Sequence, residues 1–467
     1  MSSGARARPA ALLTAILGLG LTLPQAPPPD LIVVGAGIAG LSAALEAATQ
    51  GAQVTVIDMW SIFGGHAVMS QGGLCIVDSP FQRERGIKDS PELAAKDFKD
   101  WGEDADPAWV DYYARHSREE IYDWLTGMGV AFDGISRPPG NSVPRFHQPR
   151  GRGLGLVSPI YRQCVKNPNI RFEWNVKLTR LLSEGGRVVG VSGEELRSGK
   201  QREFRAPAVL LATGGFQSNL EMVREFWPQN LPFPERLLAG SGLNSVGSGH
   251  ALAQTAGAAL YRMDHQWNYS TGLPDPRYAG LDRGLNASNS ASIWVNAQGN
   301  RFVNENESTK VTLPALLSQK PAAYWAVFDE PNKKRFSITG SDWGDFRRVE
   351  EVIFSNSELV KSAGTIEELA RATGLPVPAL VETVRRFNQM VERGEDTDFG
   401  RFSPSNGDVR GRRSAEPPPK IEKPPFYAVR FFPLTRKSMG GVQIDTAGRV
   451  LDRTGRLIPG LYAAGEL

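Results

Sequence analysis

The sequence predicts an α/β fold in which one domain is interrupted by a second, inserted α+β domain. Two observations carry this. Leu31–Val34 is a continuous apolar run, followed by the turn Gly35-Ala36-Gly37-Ile38-Ala39-Gly40, a stretch of strong helix formers from Leu41 to Ala48, and a second apolar run ending at Asp58. This is a β-α-β unit of about 30 residues, whose crossover should be right-handed. Between about Tyr261 and Ala415 polar loops and amphipathic helices replace the short apolar strands, which return at Phe426. The expected boundaries are 1–29 for a signal or disordered leader, 30–260 with 416–467 for the first domain, and 261–415 for the insertion.

Local patterns give the remaining elements. Strands are expected at Ile170–Trp174, Val188–Ser192 and Val209–Ala212, the last running into Thr213-Gly214-Gly215. Thr365-Ile366-Glu367-Glu368 has the form of a capping box, and Leu380, Val384, Phe387 and Val391 fall on one helical stripe. Gly407–Pro425, rich in Arg and Pro, reads as an exposed linker, with strand patterns after it at Phe426–Phe432 and Arg449–Leu451.

Composition removes several function classes. Hydrophobic residues make up 41% and charged residues 22%, an ordinary globular balance. The net charge of +3 is spread out, and no basic run interleaves with aromatics, so nucleic acid is not expected as a partner. No apolar run is long enough for an integral membrane span. Cys75 and Cys164 sit in no metal or haem pattern and the five histidines are scattered, so no metal site is expected. Arg6 and Arg8 before the apolar run Ala10–Leu23 resemble a signal peptide, but Ala26 is followed by three prolines and no twin arginine is present. Localisation is left open, cytoplasmic being favoured over export.

The glycine turn carries chemistry. Gly35 permits a tight turn, Gly37 lets backbone approach a pyrophosphate, and Gly40 lets the helix pack on the strand. Ala36 and Ala39 complete a small-residue surface beside the free N–H groups of the helix N-terminus. Asp58, ending the second strand, is placed to accept ribose hydroxyls. By itself the pattern leaves FAD and NAD open.

Four segments decide between them by resemblance: Gly64-Gly65-His66-Ala67-Val68-Met69-Ser70-Gln71-Gly72-Gly73, Ala212-Thr213-Gly214-Gly215, Gly299-Asn300-Arg301-Phe302-Val303-Asn304-Glu305 and Gly460-Leu461-Tyr462-Ala463-Ala464-Gly465-Glu466. With these the chain resembles the flavoprotein superfamily of fumarate reductases, succinate dehydrogenases and 3-ketosteroid Δ1-dehydrogenases. Gly140–His147 and Leu434-Thr435-Arg436-Lys437 bring it nearest a bacterial ketosteroid-dehydrogenase-like branch. The resemblance implies FAD as cofactor, a Rossmann-like FAD-binding domain and an inserted capping domain. It implies that the Gly64–Leu74 loop follows the flavin, that Val176 contacts adenine and that Glu466 reaches the ribityl or ribose region. His66 stands six residues before Gly72, as the flavin-linking histidine does in membrane-bound relatives. The neighbouring residues differ, so noncovalent binding is expected, with a covalent link as the alternative.

On the substrate side the resemblance breaks down. Tyr269-Ser270-Thr271-Gly272 stands for the family's His-Pro-Thr-Gly, no arginine follows Glu305 within Asn306–Lys310, and Lys437-Ser438-Met439-Gly440-Gly441 stands for His-Thr-Met-Gly-Gly. Fumarate reduction is therefore not expected. The candidates for stabilising an enolate oxygen and moving a proton are Tyr269, Arg436, Lys437 and Lys310. In the family a further glycine-rich loop and helix follow Ala-Ala-Gly-Glu, whereas this sequence stops at Leu467, so weak flavin retention is expected. The expected function is an FAD-dependent dehydrogenase or reductase acting on a C–C bond beside a carbonyl of a ketosteroid-like or other apolar small molecule, with an unidentified electron donor or acceptor. The alternatives are a fumarate- or urocanate-type alkene acid reductase and an inactive flavin-binding or interaction protein.

Overall fold

The computed structural model describes residues 28–402 and 417–467, so the expected leader lies almost wholly outside the described residues, as does the linker from Gly407 to Glu416. In chain order the elements that position the site are β1 (Leu31–Val34), α1 (Ile38–Thr49), β2 (Val54–Asp58), β3 (Leu74–Cys75), α2 (Pro91–Gly102), α3 (Pro107–His116), β4 (Phe146–Pro149), β5 (Ile170–Trp174), β6 (Ala208–Leu211), β7 (Gln266–Pro274), α4 (Thr309–Leu317), β8 (Phe426–Ser438) and β9 (Leu457–Ala463).

The first sheet has the order Arg449–Leu451, β9, β6, β1, β2, β5, and all neighbours are parallel except the first pair. Parallel strands are buried on both faces, which is why β1 reads as unbroken apolar sequence: Ile32 and Val33 are fully buried. α1 presents Gly40, Leu41, Ala44, Leu45 and Ala48 to this sheet. Gly40 has no substitute: a Cβ there would stand 1.9 Å from the Gly35 carbonyl oxygen.

The second sheet is antiparallel in its body. Its spine runs Ile293–Val295, Tyr324–Asp329, β8, β7, Gly284–Asn289 and Phe336–Ile338, with Leu238–Ala239 and Val360–Ala363 also paired to β8. An aromatic core of Trp294, Tyr324, Phe328, Phe336 and Phe431 fills it. β8 is its central strand. Residues 426–438, grouped on sequence with the first domain, thus pair instead with the inserted part, and the chain rejoins the first sheet only at Arg449.

Most local expectations match. β5 and the strand at Arg449–Leu451 have the expected bounds, and the Thr365–Glu368 capping box forms with both reciprocal bonds. Val188–Ser192 lies within Arg187–Glu195, but in a separate antiparallel layer with Val176–Glu184 and Gln201–Arg205. Helix Val377–Arg393 buries Leu380, Val384 and Phe387, with Met390 rather than Val391 as the fourth position. Among the described residues no helix is long and apolar enough to cross a membrane.

Candidate functional site: a flavin cleft between two sheets

The β1–α1 turn is braced by Asp58. Its Oδ2 accepts the Ala36 N–H at 2.7 Å and its Oδ1 the Trp60 N–H at 2.8 Å. Burial raises the Asp58 pKa and these two bonds oppose that. The carboxylate expected to meet a ribose therefore holds the turn's backbone as well, and each oxygen keeps a lone pair for a ligand hydroxyl. Gly37 caps α1 without a side-chain bond, leaving the helix N–H groups free. A Cβ on Gly37 would meet nothing within 4 Å; on Gly65 it would meet only the Gly37 Cα at 3.6 Å, and on Gly214 only Ser245 Oγ at 3.7 Å. These three glycines border an open strip. Ala39 closes one side of it, since a Cβ on Gly465 would come within 2.9 Å of the Ala39 Cβ.

From the strip the Gly64–Gly73 loop runs outward. Gly64 N–H bonds the Ala36 carbonyl at 2.8 Å, and Ala67–Met69 form a single tight turn. Gly72 lies against the Arg152–Gly153 backbone and Gly73 against the Phe146 ring, each too close for a side chain. His66 is held at Nδ1, 3.3 Å from Glu466 Oε2 and 3.2 Å from Ser241 Oγ. Its Nε2 is buried without a partner among the described residues, as is Thr213 Oγ1 after β6 and Ala212. Glu466 Oε1 accepts the Ser438 N–H at 3.0 Å. Burial lowers the His66 pKa; Glu466 opposes the shift, and Arg436 and Lys437 add to it. Burial thus favours the neutral imidazole.

The facing wall is made by β7 and β8, paired so that Trp267 lies opposite Lys437 and Tyr269 opposite Leu434. The Lys437 ammonium sits 4.9 Å from the Trp267 ring centre, and Trp267 stacks on Tyr269 with the planes 5° apart. Arg436 is buried and, among the described residues, reaches only two backbone carbonyls, Gly240 at 3.4 Å and Met69 at 3.5 Å. Burial lowers its pKa, while Tyr269 and Glu466 act in the opposite direction. No carboxylate lies within ion-pair distance of Arg436 or Lys437 among the described residues.

Of the four catalytic candidates, the structure brings together Tyr269, Arg436 and Lys437. Lys310 is elsewhere: its Nζ is 2.6 Å from Glu103 Oε1 at the surface. Val176 is buried in the core with Val34 and Ile57, so its side chain faces the sheet and leaves only its backbone for an adenine.

An open glycine strip at a free helix N-terminus, continuous with a cleft holding unpartnered buried His66 and Thr213 atoms, fits an extended dinucleotide with a planar ring at its far end. Comparison with known proteins agrees. Residues 30–467 match the model of the FAD binding domain family. The chain belongs to that family. It is similar to the cytochrome-type fumarate reductase of Shewanella frigidimarina, 31% identical, over 94% of this chain and 72% of that protein. It is likewise similar to a KsdD-like steroid dehydrogenase of Mycobacterium tuberculosis, 32% identical over 94% of this chain and 89% of the other. Among solved structures it resembles the 3-ketosteroid-Δ4-(5α)-dehydrogenase of Rhodococcus jostii bound to 4-androstene-3,17-dione, with TM-score 0.68 and 26% identity over 96% of this chain and 92% of that one. The protein is thus an FAD-dependent oxidoreductase of the family that contains both dehydrogenases and reductases of C–C bonds.

The residues that border the cleft and could hold FAD are those of the glycine strip, Asp58, the Gly64–Gly73 loop, Thr213 and Glu466. The sequence offered no sign of Ser241 or Arg283. Ser241 meets His66 only because Arg283 clamps its loop, donating to Ser218 Oγ and the Ser241 carbonyl. Those contacts join residues far apart in the chain, and neither serine lies in a recognisable pattern.

Proposed function

We propose that the protein transfers a hydride between FAD and a C–C bond beside a carbonyl in an apolar, ketosteroid-like substrate. FAD, when bound, supplies the two-electron chemistry. The observation that carries the reading is the meeting of Tyr269, Arg436 and Lys437 opposite the His66 loop. Tyr269 donates its O–H to the substrate carbonyl, and the Arg436 charge, buried and unspent on any carboxylate, stabilises the oxygen as negative charge builds there. The Trp267–Tyr269 stack gives the substrate an apolar wall beside those donors. A separate electron carrier completes the cycle.

A second reading, reduction of an alkene acid, is favoured by the same uncompensated pair, since Arg436 and Lys437 suit a carboxylate. The test is anaerobic titration of the FAD-bound protein, followed by flavin absorbance near 450 nm (roughly, the generic flavin band). Bleaching by a saturated 3-ketosteroid, or recovery of colour in the reduced protein on adding its enone, supports the first reading. Recovery with fumarate or urocanate alone supports the second. No response to either class would sink both.

A further inference from the structure

Lys310 is paired at the surface rather than beside Tyr269, Arg436 and Lys437, and it is firmly engaged there. Besides Glu103, its Nζ bonds the Trp101 carbonyl at 2.7 Å and lies 4.4 Å from the Trp101 ring centre. A second grip is adjacent: Arg262 pairs with Asp104, and His265 Nε2 lies 3.4 Å from the same carboxylate. The segment between α2 and α3 is thus held at two points by the part of the chain that carries the substrate wall.

Its position spans the cleft. On one side Tyr113 of α3 donates to the Cys75 carbonyl at 2.8 Å, and Cys75 ends β3 just after the flavin loop. On the other side the His265 carbonyl accepts the N–H groups of Met439 and Gly440, directly after Lys437 and Ser438. α4 is tied to β7 through Thr312 and Ser270 at 2.9 Å. The grip therefore links elements of the two walls.

Three features make this grip easy to release. The paired side chains are open to solvent: Lys310 is 43% and Glu103 74% exposed, so salt screens their attraction. Glu103 and Arg262 both hold left-handed backbone, with φ of 58° and 52°, a conformation unfavourable for residues with a Cβ. Ala105 and Asp106 border an open surface depression of about 350 Å³ shared with Phe98, Trp109, Val110 and Tyr113, so solvent rather than packed side chains adjoins that part of the segment.

We propose that Trp101–Asp106 is a strap over the cleft mouth, with Lys310 and Arg262 as its clasp, and that its release admits substrate. The proposal rests on the proposed function only for what is admitted. Its test uses the FAD-bound protein and no turnover. Hydrogen exchange is measured across 101–106 and 261–265 in the wild type, Lys310→Met, Glu103→Gln and the double variant. Each single change should speed exchange in these two segments about tenfold, and the double variant should be no faster than Lys310→Met alone. Raising NaCl from about 50 mM to about 1 M should speed the wild type more than Lys310→Met, in which only the Arg262–Asp104 pair remains to be screened. Labelling by a bulky maleimide, read on the peptide that holds half-buried Cys75, should accelerate in the same variants. Buried Cys164 should stay unreacted, which reports an intact fold. Unchanged exchange in the single variants, acceleration spread equally through β1, or faster exchange without faster Cys75 labelling would each overturn the proposal.

Discussion

Arg436 has a full charge in a buried position, and among the described residues its bonds are two long contacts to carbonyls. A charge left so poorly satisfied in the ground state is available to one that develops on a substrate oxygen. Arg436→Met is expected to lower kcat/KM by about 10²–10³-fold, in the range seen for loss of one oxyanion donor. Steady-state rates together with the flavin spectrum check this, because an unchanged spectrum excludes loss of FAD. His250 makes a different residue-scale claim. It is fully buried, neither ring nitrogen has a partner among the described residues, and burial lowers its pKa from 6.5 to about 4. The folded state thus favours the neutral ring. Stability from this residue is complete above pH 6.5, falls as pH drops toward 4, and totals about 3 kcal/mol. Denaturant melts of the wild type and His250→Leu at pH 7.5 and 4.5 should show the variant losing less by about that amount. Parallel losses in both proteins would refute it.

At the scale of the element, the β1–α1 turn separates two uses of glycine. A Cβ at Gly40 collides with Gly35, while one at Gly37 meets open space. Gly40→Ala should therefore cost about 1–3 kcal/mol of stability and release FAD. Gly37→Ala should leave the melting temperature of the flavin-free protein unchanged yet weaken FAD binding by at least about tenfold, the cost of a methyl group placed where phosphate backbone contact is needed. Equal effects on both properties in both variants would remove the distinction. This turn was legible because all its information is local: apolar run, glycine spacing and helix formers follow one another in the chain. β8 was not. Its strand pattern is plain from Phe426 onward, but its sheet is chosen by partners as distant as Tyr324–Asp329 and Gln266–Pro274. The same limit applies to the site. Arg436 and Lys437 fall in one motif and meet in the structure, whereas nothing near Lys310 in sequence reveals Glu103 as its partner.

Across the whole molecule, one buried ion network braces the flavin-loop side and another the substrate-wall side, and they should fail in different ways. Arg145 and Asp89 have fully buried side chains. The guanidinium grips Asp89 through Nε and Nη2 at 2.8 and 2.7 Å and reaches Asp97 on α2 through Nη1. Its own carbonyl receives the Ile76 N–H at 3.0 Å, immediately behind the flavin loop. Arg301 instead joins Glu305 at 2.8 Å and Asp396 at 2.9 Å, and Arg401 adds a second cation to Glu305 at 3.1 Å. Despite burial, these two arginines keep the Glu305 carboxyl below the usual range. That network lies wholly on the substrate-wall side. Removing Arg145 leaves buried Asp89 without its cation and removing Arg301 leaves buried Asp396 without its own, while Glu305 keeps Arg401, so Arg145→Met and Arg301→Met should each cost about 3–5 kcal/mol. Only Arg145→Met disturbs the backbone that supports β3 and the flavin loop. It should therefore also weaken FAD binding, measured by flavin release on dilution under conditions where both variants remain folded. Arg301→Met should retain FAD like the wild type, while hydrogen exchange quickens in the second sheet around Ile293–Val295. Equal flavin loss from both variants would mean that the two sheets respond as one unit, and that the cofactor senses the stability of the whole chain.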